Sequence, residues 1–286
     1  MVTVLDGPLG SELLARGVPT PLPLWSAWAL RHRPEAVSEI HRDYAAAGAT
    51  VHTANTFRTK RRQLGEGWEE LARAAVRLCR EAVPLGHRVA GSIAPLEDCY
   101  EPWKSPPEPR AEHRELATVL ADAGCDVLLC ETFPHVREGW VAVEEAVRTG
   151  VETWASFTAG PDADLLSPAD VREAARGAVA RGAKAVLVNC VPAPATLAYV
   201  RELAALGVPF GAYANAGHAD DELGWAPHVE APRRYASFAL DWAGEGATLI
   251  GGCCGTGPAH VRAVVAALSR GRASPSTTTP RAPPGR

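Results

Sequence analysis

The sequence predicts a (β/α)8 barrel, an α/β fold in which eight parallel strands alternate with eight helices. Eight short β-like runs occur along the chain, and each is followed by a helical pattern. The length of 286 residues suits one such barrel. The rival is a doubly wound open sheet, which the count of eight and the lack of a GxGxxG turn disfavour.

The first half of the chain supplies four of these units. Pro34 in the first turn and Gly48 as the stop delimit a helix over 34–47. Apolar residues at helical spacing indicate further helices over 68–82, over 111–123 and around Trp140. The predicted strands of this half are 2–6, 49–57, 88–93 and 126–131.

The second half repeats the pattern. Ser167 and Asp170 are typical of a helix N-terminus, with a cap and an acid three residues later. The last helix is expected over 258–269, and the strands over 152–158, 185–190, 210–215 and 247–250. We therefore expect one barrel domain, 1–270, and a tail, 271–286, that is rich in Pro, Ser, Thr and Arg and predicted to be disordered.

Composition excludes several functions. The hydrophobic fraction is 47%, the charged fraction 22% and the formal net charge −4, so no basic surface for nucleic acid or anionic membrane is expected. No apolar run approaches the ~20 residues of a membrane span, and no signal peptide is evident. A cytoplasmic location is expected. Disulfides are rare there, so the seven cysteines are interpreted as buried thiols or metal ligands.

Three cysteines stand at strand ends. Cys253 and Cys254 are adjacent and flanked by glycines, which let the backbone bend until both sulfurs converge. Cys190 ends another apolar strand. Three thiolates would bind Zn²⁺ and leave a fourth, catalytic position open. A vicinal disulfide, or buried thiols beside an unrelated core cysteine, explains the spacing as well.

Two carboxylate residues also stand at the ends of predicted strands. Asp6 ends the first strand and Glu131 the fourth. Alternation predicts that Val2 and Val4 share a face with Asp6, as do Val127 and Leu129 with Glu131, and Val186 and Val188 with Cys190. If these apolar residues fill the barrel, the polar ones lie at its mouth. A helix cap or a salt bridge is the alternative for each carboxylate.

Several motifs lie at the strand ends: Asp6-Gly7, Gly10-Ser11-Glu12, 53–57 (TANTF), 91–95 (GSIAP), 130–133 (CETF), 188–190 (VNC), 213–217 (YANAG) and 251–256 (GGCCGT). Together they resemble the motifs of the zinc-dependent homocysteine S-methyltransferases. The resemblance runs from Asp6 to about Leu268, with Pro8 and Ser11 as small departures. It implies that Cys190, Cys253 and Cys254 bind zinc, that Asp6 and Glu131 hold the amino-acid end of homocysteine, and that Gly7 and Asn215 also contact substrate.

The methyl donor needs a good leaving group, and aromatic loops after the strands could hold an onium cation by cation–π attraction. Trp25 and Trp103 are the main candidates, with Trp28, Tyr100 and Trp225 beside them, although such rings also anchor long loops. Residues 24–27 (LWSA) resemble the S-methylmethionine group of the family. We therefore expect neither the additional domains that folate or cobalamin chemistry needs nor the C-terminal extension of the betaine enzymes.

We therefore expect a sulfonium donor, S-methylmethionine before S-adenosylmethionine, with methionine as product. The protein is expected to be a monomer or a weak homodimer. Two alternatives remain: a zinc-thiolate barrel that uses another thiol or a betaine-like N-methyl donor, and a barrel that binds its ligand without catalysis.

Overall fold

The computed structural model describes residues 2–217 and 230–273. Within them eight parallel strands form one sheet in the order β1-β8-β7-β6-β5-β4-β3-β2. A bridge between Leu5 and Val51 joins the first strand to the second and closes the sheet. The predicted (β/α)8 barrel is therefore confirmed. The strands are β1 (Thr3–Val4), β2 (Val51–Ala54), β3 (Arg88–Ile93), β4 (Val127–Phe133), β5 (Glu152–Phe157), β6 (Ala185–Pro192), β7 (Phe210–Asn215) and β8 (Leu249–Gly252).

Helices surround the sheet, and three of them were not predicted. These are two helices between β1 and the expected helix at Pro34, and one turn after β2. The α-helices are α1 (Leu9–Ala15), α2 (Ala27–His32), α3 (Pro34–Ala47), α4 (Arg61–Leu64), α5 (Trp68–Ala82), α6 (Arg110–Asp122), α7 (Val136–Val147), α8 (Pro168–Ala180), α9 (Ala193–Ala204), α10 (Ala231–Gly244) and α11 (Pro258–Ala273). In the described part of the chain, no helix is long and apolar enough to cross a membrane.

Local signals set the helix ends. Gly48 ends α3 in the left-handed conformation, with φ of 105°, which glycine adopts without steric cost. Ser167 accepts a hydrogen bond from the amide of Asp170, and the Asp170 side chain accepts one from the Ser167 amide. This reciprocal cap satisfies two backbone donors that the first turn of α8 would otherwise leave free.

The apolar core has two layers, inside the barrel and between the sheet and the helices. The interior is filled by side chains from all eight strands or their ends, Trp154 and Tyr213 being the largest. Larger clusters lie outside the strands, under α5–α11 and under α1–α3. Trp242, Tyr44 and Tyr235 are the largest fully buried side chains in these outer layers.

The predicted side-chain faces hold for β4 and fail for β1 and β6. Val127 and Leu129 fill the barrel interior, as expected. On β1, however, Leu5 faces the interior and Val4 packs against the helices. On β6, Leu187 faces the interior and Val188 the helix layer. Simple alternation therefore does not explain how Asp6 and Cys190 reach the mouth; the backbone at the strand ends does.

Candidate active site and metal centre

A cavity lies at the carboxyl ends of the strands, where barrel proteins place their chemistry. Its wall combines residues far apart in the chain because parallel strands bring their ends to one edge. Seven of the nine predicted site residues line it: Asp6, Gly7, Trp25, Glu131, Cys190, Cys253 and Cys254. Asn215 and Trp103 are not among the lining residues.

The sulfurs of the three predicted ligand cysteines converge. The Sγ atoms of Cys190, Cys253 and Cys254 all lie within 4.8 Å of one another. Cys190 and Cys253 are joined as a disulfide with Cα atoms 5.6 Å apart, and Cys254 is a free, buried thiol. The vicinal disulfide between Cys253 and Cys254 is therefore not formed. With Zn–S bonds of about 2.3 Å, two sulfurs on one ion are at most roughly 4.6 Å apart, so the reduced trio fits a zinc ion.

Backbone conformation turns Cys190 into the cavity. Its φ is 53°, in the left-handed region that non-glycine residues rarely occupy, and the pairing of β6 with β7 shifts register between Asn189 and Pro192. Thr132 at the end of β4 and Trp25 after β1 are left-handed too, with φ of 62° and 45°. All three line the cavity. Such residues cost about 1–3 kcal/mol each and persist where the surroundings enforce them.

Asn189 is the residue that enforces two of these conformations. Its side-chain nitrogen, Nδ2, donates to Thr132 Oγ1 at 2.8 Å and lies 3.4 Å from Cys190 Sγ. Its side-chain oxygen, Oδ1, accepts hydrogen bonds from Ser156 Oγ at 2.7 Å and from the backbone amide of Thr132 at 3.2 Å. Asn189 thereby ties together the ends of β4, β5 and β6.

Asn215 is not part of the cavity wall but forms a hydrogen bond to the backbone of Cys190. Its amide nitrogen donates to the carbonyl oxygen of Cys190 at 3.1 Å. Its Oδ1 is buried and, among the described residues, has no hydrogen-bond partner. Asn215 thus holds the peptide that carries Cys190, and its expected contact with substrate stays a prediction.

Glu131 is a buried carboxylate held by two hydroxyl groups. Ser92 Oγ donates to one carboxylate oxygen, and Tyr213 OH donates to the other at 2.9 Å. Burial raises the pKa of Glu131, and these two hydrogen bonds oppose the rise. Of the ion pairs among the described residues, none includes Glu131.

Asp6 is the second buried carboxylate. Its Oδ2 accepts a hydrogen bond from the backbone amide of Thr53 at 2.9 Å. Burial raises the pKa of Asp6 well above its usual value; the Thr53 hydrogen bonds lower it, and the charge of Glu131 raises it further. The two buried carboxylates repel each other electrostatically, and no cation lies beside them in the described structure. They therefore form a site suited to a positively charged group.

Glycines permit close packing below the cavity. A Cβ atom on Gly7 would lie 2.6 Å from the Tyr44 hydroxyl oxygen, and one on Gly10 would overlap the Trp25 indole. The Trp25 indole can therefore pack closely against Gly10 in the first turn of α1. Its ring meets Phe57 edge to face at 6.5 Å, and Tyr100 completes an aromatic wall of the cavity.

The remaining aromatic candidates lie elsewhere. Trp103 belongs to a single 3₁₀ turn, Pro102–Lys104, and is 72% exposed. Trp28 stacks on His32 at 4.2 Å within α2 and packs on the outer core, so it anchors that helix. Trp225 lies outside the described residues. Cys79 and Cys130 are buried in the outer core.

Sequence reasoning missed the residues that orient the site. Ser92 and Tyr213 hold Glu131, Asn189 holds Cys190, and Ser26 donates to Asn55 beside the cavity at 2.7 Å. Each lies inside a motif already recognised, one or two residues from a predicted site residue or strand end. That adjacency was the available signal, but it does not show which partner each side chain meets.

Comparisons with known proteins agree with this geometry. The homocysteine S-methyltransferase family profile matches residues 3–268. A homocysteine S-methyltransferase from Escherichia coli (strain K12) is 32% identical, covering 93% of this chain and 94% of that protein. A betaine–homocysteine S-methyltransferase from Danio rerio is 30% identical, covering 95% and 74%. The metallated crystal structure of the E. coli homocysteine methyltransferase aligns with a TM-score of 0.78 and 28% identity, covering 93% and 96%.

Proposed function

Because this chain belongs to the homocysteine S-methyltransferase family, we propose that it methylates homocysteine at a zinc-thiolate centre with a sulfonium compound as donor. It is an enzyme that transfers a methyl group to homocysteine, which gives methionine, and zinc is its cofactor. One observation carries the proposal: three cysteine sulfurs converge in a cavity that also holds two buried carboxylates.

The zinc ligands are Cys190, Cys253 and Cys254. Zinc bound there would lower the pKa of an added thiol and hold it as the nucleophilic thiolate. Three protein thiolates give the centre a net charge of −1, which keeps a fourth thiolate electron-rich. A cysteine in a disulfide is not a thiolate ligand, so zinc binding requires Cys190 and Cys253 in reduced form.

The carboxylates of Asp6 and Glu131 bind the ammonium group of homocysteine. Both are buried and lack a cation in the described structure, so an entering ammonium relieves the cost of keeping them charged. Ser92 and Tyr213 orient Glu131 by donating to its two oxygens. The acceptor is thereby held at its amino-acid end while its sulfur is free to reach the cysteines.

The donor lies against the aromatic wall. Trp25 and Tyr100 line the cavity, and an onium cation against such rings is stabilised by about 0.5–2 kcal/mol per ring. Phe57 is less available because Arg58 and Lys60 already lie over its ring at 5.7 and 5.8 Å. S-methylmethionine is the favoured donor, and S-adenosylmethionine the second.

A betaine-like donor is the second candidate. The likeness to a betaine–homocysteine methyltransferase favours it, and the same aromatic wall would hold a quaternary ammonium. The deciding assay incubates the reduced, zinc-loaded enzyme with homocysteine and S-methylmethionine, S-adenosylmethionine or betaine, and measures methionine. Turnover with betaine alone would replace the sulfonium assignment.

The ligand assignment has its own test. Cys190→Ser, Cys253→Ser and Cys254→Ser should each fall from about one zinc per chain to a small fraction of that and lose methionine formation. Cys79→Ser, a buried thiol of the outer core, should keep both. A Cys253→Ser, Cys254→Ser double variant with full zinc would remove these two cysteines from the ligand set.

The cellular location and the oligomeric state complete the proposal. The thiolate centre is suited to a reducing compartment, so we place the enzyme in the cytoplasm. The exposed large apolar side chains of the described residues are scattered along the chain, at Leu14, Leu22, Leu85, Trp103 and Leu240. This supports a monomer or a weak homodimer, which sedimentation velocity at two concentrations would test.

A further inference from the structure

Two histidines lie behind Asp6, on the helix side of the barrel wall. His41 extends from α3 and His52 from β2, and both are fully buried. One ring nitrogen of each and one carboxylate oxygen of Asp6 all lie within 4.8 Å of one another. We call Asp6, His41 and His52 the histidine cluster. Methyl transfer as described above gives the two histidines no role.

The cluster contains polar atoms without partners. Among the described residues, neither nitrogen of His41 has a hydrogen-bond partner, and Nδ1 of His52 has none. A buried nitrogen left in this state costs about 1–3 kcal/mol, and three at one place are unusual in a folded protein. Burial also lowers the pKa of His41 to about 3 and that of His52 to about 4. Both rings are therefore neutral at pH 7, the form in which imidazole binds a metal.

His52 already has the second contact typical of a metal ligand. Its Nε2 lies 3.0 Å from Nδ1 of His87, and the two rings stack nearly parallel. A histidine that binds a metal usually has its other nitrogen fixed by a neighbouring group, which sets the tautomer and the direction of the free lone pair. In His52 that arrangement leaves Nδ1 without a hydrogen-bond partner among the described residues, and so free to bind an ion.

We propose that the histidine cluster is a second metal site, which binds one divalent transition-metal ion through His41, His52 and the Asp6 carboxylate. Two imidazoles and a carboxylate are a common donor set for Zn²⁺ and Co²⁺. With bonds of about 2.0–2.2 Å, two ligand atoms on one ion are at most roughly 4.4 Å apart, so small side-chain rotations suffice. Asp6 lines the active-site cavity, which gives the ion a way in.

The second site would oppose substrate binding. In the proposed function, on which this consequence rests, Asp6 binds the homocysteine ammonium. A divalent ion bound to the Asp6 carboxylate would place positive charge next to the ammonium group of homocysteine, and the two positive charges would repel each other. Zinc in excess of the catalytic ion is therefore an inhibitor that competes with homocysteine.

Cobalt titration of the reduced protein tests the site without any activity assay. The first equivalent should enter the three-cysteine centre and show intense sulfur-to-metal charge-transfer bands. A second equivalent should bind with only the weak visible bands of nitrogen and oxygen ligands. His41→Gln and His52→Gln should each bind one equivalent and keep the charge-transfer bands. His113→Gln is the matched control, because His113 is equally buried but bonded to Glu138.

A wild-type protein that binds a single cobalt would overturn the second site, and a buried water would then explain the free nitrogens. Two equivalents in both His41→Gln and His52→Gln would overturn it as well. If loss of the contact with His87 unfolds His52→Gln, His41→Gln decides, because His41 has no hydrogen bond to lose in the described structure.

Kinetics test the inhibition. Zinc beyond one equivalent should raise the KM for homocysteine several-fold in the wild type and leave it unchanged in His41→Gln. An unchanged KM in the wild type, with two cobalt ions bound, would refute the inhibitory role alone. If no donor yields methionine, the proposed function fails, while the cobalt stoichiometry still decides the metal site.

Discussion

At the scale of single residues, the site depends on carboxylates that are costly to bury. Asp6 and Glu131 are both buried, and burial raises the pKa of each. Neither forms an ion pair with another described residue, in contrast to Glu145, whose carboxylate contacts Arg110 and Arg114. A fold that served stability alone would neutralise or replace them. Their cost is consistent with selection for a cationic substrate.

Glu131→Gln keeps the shape of the side chain and removes its charge. We expect homocysteine binding to weaken by about 1–3 kcal/mol, roughly 5- to 150-fold, because a charge-assisted hydrogen bond becomes a neutral one. Zinc content should not change. Tyr213→Phe, which keeps the carboxylate and removes one of its donors, should give a smaller loss. Unaltered homocysteine affinity in Glu131→Gln would leave Glu131 a structural role only.

Asp6→Asn should stabilise the substrate-free protein while weakening homocysteine binding. The pKa of Asp6 is raised in the folded state, so the folded chain binds this proton more tightly than the unfolded chain does. Such a carboxyl group costs stability once the pH exceeds its unfolded pKa, about 1.4 kcal/mol for each unit of the rise. We expect the melting temperature at pH 7.5 to increase by about 2 °C or more.

The dependence on pH gives the control for Asp6→Asn. The gain in melting temperature should shrink as the pH is lowered towards about 4, where the carboxyl group of the unfolded chain also begins to bind its proton. A gain that stays constant from pH 7.5 to pH 4.5 would show that Asp6 is not the titrating group.

Trp25 gives the most direct test of how the methyl donor is bound. Trp25→Leu keeps apolar bulk and removes the aromatic quadrupole, so the KM for the donor should rise several-fold with little change for homocysteine. Trp103→Leu is the matched control, because Trp103 is 72% exposed and outside the cavity lining. Normal donor kinetics in a folded Trp25→Leu variant would exclude cation–π recognition by this ring.

At the scale of elements, the ends of β4 and β6 are braced against each other. Thr132 and Cys190 both adopt left-handed backbone conformations, and Asn189 bonds to each of them. Ser156 adds the end of β5 through its hydroxyl group. The geometry of one zinc ligand therefore depends on three neighbouring strands rather than on its own loop.

Asn189→Ala should damage this arrangement. The Ser156 hydroxyl and the amide and hydroxyl of Thr132 would lose their buried partner, at about 1–3 kcal/mol for each group that finds no substitute. We expect a melting temperature lower by at least about 4 °C and a weaker zinc affinity in a competition with a chelator. Ser156→Ala, which removes a single contact, should lose less on both measures. Wild-type zinc affinity in Asn189→Ala would contradict the bracing role.

At the scale of the whole molecule, barrel closure assembles the site. Leu5 bridges Val51, and the Asp6 amide donates to the Val51 carbonyl at 3.0 Å, so the first strand is held between β2 and β8. The Gly252 amide donates to the Asp6 carbonyl at 3.1 Å and brings Cys253 to the same edge. The carboxylate near the start of the chain and the cysteine pair near its end thus become neighbours.

The predicted barrel domain and tail can be tested by truncation. The family profile ends at residue 268, and α11 continues to Ala273. A chain that stops after residue 273 should therefore keep its zinc content and methionine formation, with a melting temperature within about 1 °C of the full-length protein, because sequence of this composition buries little apolar surface. A larger fall would make residues 274–286 part of the folded domain.

The sequence by itself determined the order of the eight strands and of the eight helices that alternate with them, the barrel and the chemistry of the strand ends, but not the three additional helices α1, α2 and α4. Strand and helix periodicities are local, and parallel strands must bring their carboxyl ends to one edge, so Asp6, Glu131 and the three cysteines could be assigned to one site from the chain alone. Helix signals were equally local: Pro34, Gly48 and Ser167 mark the ends at which their helices begin or stop.

Only the tertiary structure decided which side chains face the cavity and what holds them. Alternation misplaced Val4 and Val188, because the last residues of a strand depart from regular pleating: β1 is short, and Cys190 is left-handed. The partners of Glu131 come from positions 39 and 82 residues away. Such contacts depend on how distant segments pack, and no local pattern in the sequence encodes them.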